Sequence, residues 1–210
     1  MAGFCITDDD ACAKASYNEI IRRYFAAKCA VRQGQSDGND VYKIELLMSK
    51  LGISANDREC VTYARNKAEE TGEPAMALQL SDGRIVTGKT TDLLGAGSAL
   101  LLNALKLLAG IPKETLLIPP EVIEPIHHLK VTHMGHTNPR MHTDELLIAL
   151  SICGNTNKDA ALALEQLDNL RDAEAHSSVL LARVDENVFK NLGINLTCDP
   201  AYQRNNLYHR

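Results

Sequence analysis

Ser81-Asp82-Gly83-Arg84-Ile85-Val86-Thr87-Gly88-Lys89-Thr90-Thr91 is the stretch on which the fold turns. Within it, Gly83 to Thr90 satisfy the phosphate-loop pattern G-x-x-x-x-G-K-[ST] letter for letter. A phosphate loop needs a bend whose N–H groups face inward. Here the interior is Arg84-Ile85-Val86-Thr87, and Ile, Val and Thr are β-branched residues that favour an extended strand. Asp82-Gly83 is the turn signal of a hairpin joining strand-like runs at Ala75–Leu80 and Arg84–Thr87. The string therefore reads as the second strand of a hairpin. It runs through Gly88-Lys89-Thr90 into a long helix from about Asp92 to Ala109.

That helix is apolar nearly all round, which predicts burial, and Gly110 and Pro112 close it. Asn103 and Lys106 inside it favour a core helix over a bilayer span. Beyond it, Thr115–Ile118 reads as a strand ended by Pro119-Pro120, and a short helix follows near Val122–Leu129. Val131–Met141 is a loop. His142 or Thr143 caps a helix that runs to Cys153. Asn157 starts another helix, with Ala161, Leu164, Leu167 and Leu170 on one face. Ser178–Val184 reads as a strand, Asp185 caps a short helix ending at Gly193, and Ile194–Cys198 is a last strand.

Upstream of the hairpin the pattern is purely helical. Ser16-x-x-Glu19 has the form of a capping box, followed by Tyr17, Ile20, Ile21, Tyr24 and Phe25 on one face. Val41, Ile44, Met48 and Leu51 mark a second helix, and Ser54 with Asp57 caps a third. Thr71-Gly72-Glu73-Pro74 is a firm stop. The expected organisation is a helical domain over 1–73 and an α/β domain over 74–210.

The 210 residues are 45% apolar but only 4% aromatic, so the core must be aliphatic, which suits helices packed on a sheet. A net charge of −5 argues against nucleic-acid binding through a broad basic face. It leaves room for a small anion, which needs one local positive site. Six cysteines without a C-x-x-C pair, and no secretory leader, point to reduced thiols in a soluble cytoplasmic protein with no membrane anchor.

Two groups of residues carry candidate chemistry. Gly88, Lys89, Thr90 and Thr91 precede a helix, whose N-terminal N–H groups and dipole attract anions. The competing reading makes Thr91 a helix cap and Lys89 a solvated charge. His142, with Asp144 beside it, and His176, followed by Ser177, are candidates for general acid–base work. The bland alternative for His142-Thr143-Asp144-Glu145 is an acidic helix start. His133-x-x-His136 is half of a metal site whose other half is missing, so neither a metal nor a cofactor is expected.

Long phrases of the chain resemble the C-terminal part of a bacterial family, domain of unknown function 1846. They include EIIRRYF at 19–25, VYKIELLMSKLG at 41–52 and the run from Asp82 to Glu114. NPRMHTDELLIALSIC at 138–153 and the run from Glu174 to Tyr202 also carry it. The resemblance implies a C-terminal fragment of a longer protein. It also implies a helical domain followed by an α/β/α domain with cytidine-deaminase-like topology. The zinc ligands of a deaminase, H-x-E and P-C-x-x-C, are absent. Two functional readings follow. One is an enzyme, or enzyme half, that holds a small anionic phosphate or carboxylate metabolite at the helix start. The other is a module for homo-oligomerisation that supports the missing N-terminal domain.

Overall fold

The Asp82-Gly83 turn forms as its residues demand. Gly83 takes φ 86°, a left-handed value that costs a Cβ-bearing residue, and the Leu80 N–H donates to Arg84 O at 2.9 Å. The computed structural model describes residues 8–203, so Cys5 lies outside the described residues. The hairpin strands are β1, Ala75–Gln79, and β2, Ile85–Lys89, paired antiparallel with Ala77 opposite Thr87. Two further strands, β3 (Glu174–Ser177) and β4 (Asn195–Cys198), complete a four-stranded sheet in the order β2-β1-β3-β4. β3 runs antiparallel to β1 and parallel to β4.

Helices cover both faces, giving a mixed α/β fold. Upstream lie α1 (Asp9–Arg32), α2 (Asn39–Leu51) and α3 (Glu59–Thr71). Downstream of the hairpin come α4 (Ala96–Ala109), α5 (Pro120–Thr132), α6 (Thr143–Cys153), α7 (Lys158–Leu164) and α8 (Arg183–Asn191). Strand alternation sorts the side chains of β1 between the two faces. Met76 and Leu78 join the larger core with Leu100, Leu101, Leu105, Leu146 and Phe189, while Ala77 packs with Cys60 and Ala64 of α3. A separate small core of Ile21, Phe25, Met48 and Val61 binds α1, α2 and α3 together.

Four expectations are corrected. Ser16 lies inside α1, where its hydroxyl donates to Cys12 O at 2.9 Å, and the helix is capped by Asp8 instead. The long helix begins at Ala96 rather than Asp92. Thr91 Oγ1 accepts from the N–H groups of Leu93 and Leu94, and Leu93 O and Gly95 N–H are then taken by Met141. Those bonds hold residues 91–95 out of the helix. Thr115–Ile118 is not a strand: Thr115 N–H turns back to Pro112 O, and Asn157 Nδ2 serves the carbonyls of Leu116 and Leu117. The strand expected at Ser178–Val184 lies earlier, at Glu174–Ser177, because the Ser177 hydroxyl bonds Val179 O and Ser178 Oγ accepts from Ala75 N–H.

Gly88 permits a close approach between β2 and α4. A Cβ built there would lie 2.3 Å from Leu100 N and 2.6 Å from Leu100 Cα. Both are backbone atoms of α4 and cannot swing aside. Gly88→Ala should therefore destabilise the fold by about 3 kcal/mol or more in chemical denaturation. Gly83→Ala meets open space and should cost only the left-handed backbone strain, about 1–2 kcal/mol. Equal losses in the two variants would contradict the packing argument.

Candidate functional site

The corner at Gly88-Lys89-Thr90-Thr91 divides between the two sides of the chain. Gly88 and Thr90 are buried, and Lys89, at the end of β2, is exposed. Thr90 turns towards a small cavity of about 20 Å³ at the start of α4, shared with Gly95, Ala96, Gly97, Asp185 and Gln203. Lys89 and Thr91, with Gly88, line a much larger hollow of about 410 Å³ between β2 and α4. Lys67, Lys106 and Lys113 line the same hollow, and no Asp or Glu does. A second hollow of about 360 Å³ adjoins it through Thr87, Asn103, Lys106 and Lys113, again without a carboxylate. The two form one furrow along the outer edge of the sheet. In its middle Asn103 Nδ2 donates to Thr87 O at 2.9 Å, and Lys106 Nζ donates to Lys113 O at 2.9 Å. Burial pushes the Lys106 ammonium below the ordinary lysine value; the Glu114 carboxylate opposes this, and the positive charge of Lys113 adds a smaller push in the same direction as burial.

His142 stands elsewhere, at the N-terminus of α6. Its Nδ1 lies 2.9 Å from Asp185 Oδ2, while Asp185 Oδ1 accepts from the N–H and the hydroxyl of Thr143, each at 2.9 Å. Asp185 is therefore a cap for α6 reached from the first turn of α8, and the carboxylate partner of the imidazole. Asp144 takes no part in that pair; its Oδ1 accepts from Glu145 N–H. Glu145 accepts from His142 N–H at 2.9 Å and from the buried Lys130 ammonium at 2.7 Å. Burial opposes protonation of His142, but the hydrogen bond and charge of Asp185 outweigh it and move its pKa up.

His176 is fully buried on β3, against the Phe25 ring at 4.7 Å between centroids. Its Nδ1 lies 2.8 Å from Thr197 Oγ1, and Nε2 lies 3.4 Å from Asp199 Oδ2, a contact too long and poorly aligned to count as a hydrogen bond. Burial pushes its pKa down, aided by the charges of Arg58 and Arg65. Burial also raises Asp199, yet the bidentate Arg65 guanidinium holds that carboxyl at about 2. Lys89, His142 and His176 thus do not converge on one cavity. Among the described residues no group of three or more His, Cys, Asp or Glu is placed to hold a metal ion. None of the helices there is long and apolar enough to cross a membrane. The described cysteines, Cys12, Cys29, Cys60, Cys153 and Cys198, are free.

Residues 56–208 match the family described as "Domain of unknown function DUF1846, C-terminal", and residues 1–52 match its N-terminal counterpart. The chain belongs to the DUF1846 family. The resemblance is not confined to the C-terminal part, since α1 and α2 fall within the N-terminal match. A UPF0371 protein of Streptococcus thermophilus strain LMD-9 is 52% identical over all 210 residues, and one of Streptococcus sanguinis strain SK36 is 51% identical. Another, from Streptococcus pneumoniae strain G54, is also 51% identical. The chain spans 42% of the length of each.

In this DUF1846 chain the residues that complete each cluster come from afar. Asp185 lies 43 positions from His142, and local pattern marked it only as the cap of its own helix. Lys106 and Lys113 carried one signal, a pair of cations at the end of an otherwise apolar helix and just past it. What the two histidines can do differs. His142 is a partly accessible imidazole whose protonated form a carboxylate favours, whereas His176 is packed in the core, where burial favours the neutral ring.

An NMR titration of the imidazoles should place the His142 midpoint above and the His176 midpoint below the ordinary value near 6.5. The stability contributed by the His142–Asp185 pair is fully present below about pH 6.5 and is lost as pH rises through the raised midpoint. For His176 the sign reverses: its contribution is present above about pH 6.5 and is lost as pH falls through the lowered midpoint. Asp185→Asn should bring the His142 midpoint down and leave that of His176 in place. An unmoved His142 midpoint would refute the pairing.

Proposed function

We propose that this chain is the ligand-holding part of a larger enzyme, which binds a small anionic metabolite, a phosphate or a carboxylate, in the furrow between β2 and α4. One observation carries the reading. In a chain of net charge −5, Lys67, Lys89, Lys106 and Lys113 line one hollow that no carboxylate enters. A concave site with converging like charges focuses potential and draws ions of the opposite sign. The anion-binding residues are then Gly88, Lys89 and Thr91, joined by Lys106 and Lys113. Thr90 faces the start of α4 instead. His142, whose protonated form Asp185 favours, is the candidate for moving a proton. His176, and Asp144 with it, have weaker claims because neither forms a pair open to a ligand.

A cytidine-deaminase-like topology for the part from 74 onward fits this reading. The hairpin, the buried α4 and the parallel β3–β4 pair on the far side of β1 support it. Lys89-Thr90-Thr91 then stands roughly where a deaminase would begin its first zinc-ligand motif, so the chemistry of that class does not transfer. A second reading, a module for homo-oligomerisation or for support of the rest of the protein, rests on exposed apolar side chains. Tyr42 and Leu46 of α2 are 64% and 46% exposed, and Ile148 and Ile152 of α6 are 62% and 59% exposed. Such residues become buried when a partner covers them.

Thermal unfolding with inorganic phosphate and with citrate tests the first reading. At ten times the dissociation constant a ligand stabilises by about 1.4 kcal/mol, a rise of about 3–6 °C in Tm for a chain of this size. That rise should appear in the wild type and shrink by at least half in Lys89→Ala and Lys106→Ala. Equal shifts in all three proteins, or none in any, would sink the anion site. A concentration-dependent mass in light scattering, abolished by Tyr42→Glu, would favour the second reading.

A further inference from the structure

We infer that the ligand of the lysine-lined furrow is amphipathic, with an anionic head held by Lys106 and Lys113 and an apolar body laid on the leucines beside them. The inference rests on the anion-binding reading above and narrows its substrate class.

The furrow is larger and greasier than an inorganic anion requires. Its main hollow measures about 410 Å³, within the range of roughly 300–1,000 Å³ for sites that take whole small molecules. Beneath the lysines its wall is aliphatic: Leu94, Leu102, Leu117, Ile118 and Ile123. Two more lining residues, Leu93 and Leu116, remain 38% and 65% exposed at the mouth. Leu107, in the adjoining hollow, is 37% exposed. An inorganic phosphate would neutralise ammonium groups and leave that apolar surface in water. A molecule with one anionic end and one apolar end satisfies both halves of the site, because burying its body removes apolar area from water on both partners.

The head is fixed at one end by the arrangement of donors. Lys106 and Lys113 belong to both hollows and are tied to each other through the Lys106 Nζ bond to Lys113 O. Asn103, a further donor-bearing side chain, stands one turn before Lys106 on α4 and lines both hollows too. Lys67 is already engaged by Glu70 at 3.0 Å and lies at the opposite margin, on α3. Donors thus gather at the α4 end, where the Glu114 carboxylate acts on Lys106 only from outside the hollow, and Leu116 and Ile123 supply aliphatic lining beside them. Apolar carboxylates and phosphate monoesters fit that polarity. Highly charged, wholly polar anions do not use the wall.

Calorimetry on the intact chain at fixed ionic strength tests this with three probes: inorganic phosphate, 1-naphthyl phosphate and 1-naphthol. The aryl phosphate should bind at least tenfold more tightly than inorganic phosphate, and 1-naphthol should bind more weakly than the aryl phosphate by a similar factor. Leu116→Asn should weaken 1-naphthyl phosphate at least fivefold and leave inorganic phosphate unchanged. Lys113→Glu should weaken both anions. Both side chains are exposed, so the variants should fold, which an unchanged melting temperature checks. Equal affinity for the two phosphates would overturn the amphipathic ligand while the anion site stands. Binding of neither phosphate, or of 1-naphthol as tightly as its phosphate, would overturn both.

Discussion

Arg58 is the joint on which the rest of the structure hangs. It precedes α3, is 1% exposed, and spends every guanidinium N–H on the sheet. Nε and Nη2 donate to Glu174 Oε2 at 2.9 and 2.6 Å. Nη1 donates to Ala175 O and to Thr197 Oγ1, and Nη2 also to Asn195 O. A guanidinium has five donors in a rigid fork, so few sites can satisfy it completely. This one does so by gathering acceptors from both members of the parallel β3–β4 pair. Removing a charge from water costs several kcal/mol, and only a complete set of partners offsets it. The fork therefore specifies how far apart β3 and β4 lie and which register they take. Loss of one partner would strand the other in the interior, a class of change that costs about 3–5 kcal/mol.

The same residues tie the helical third to the sheet. Glu174 accepts from Arg22 of α1 as well as from Arg58, so a single carboxylate engages two helical segments. Thr197 passes the network to His176, and Asp199 passes it to Arg65 of α3. Phe25 of α1 seals the ring of His176 from above. This explains why a histidine that stood in a promising sequence position serves packing. Everything around it is committed to holding α1 and α3 against the β3–β4 side. The face on α4's side closes mainly by apolar packing, with Gly88 and Gly97 permitting the close contacts.

Much of this was legible in the residues, and several of the failures share a cause. Turns and stops that rest on local chemistry came out where their residues placed them: Asp82-Gly83, Gly72, Gly110 and the cap at Asn157. Errors arose where a distant partner took a local group's hydrogen bonds. Met141 claims the backbone of Leu93 and Gly95, so α4 starts four residues late. Ser177 and Ser178 turn the chain out of the sheet just where apolar Val179, Leu180 and Leu181 suggested a strand. Asp185 caps another helix than its own. The basic furrow was half visible, since Lys89 and Thr91 drew attention, but Lys106 and Lys113 join them only after the strand is laid beside α4.

That juxtaposition also answers how the chain keeps an exposed sheet edge. β2 is an edge strand, and an unprotected edge invites pairing with other chains. Asn103 occupies the Thr87 carbonyl, and lysines flank the edge, a common means of blunting it. Burial lowers the Lys106 pKa, with a smaller push in the same direction from Lys113. A purely protective role would be met by one or two cations standing in solvent. Here they are drawn over a deep aliphatic hollow, with Lys106 half-buried and every carboxylate kept outside it. Edge protection therefore accounts for the presence of lysines but not for the depth beneath them. A cluster of cations over an aliphatic hollow focuses positive potential there, and that is the physical ground for proposing the furrow as a binding site.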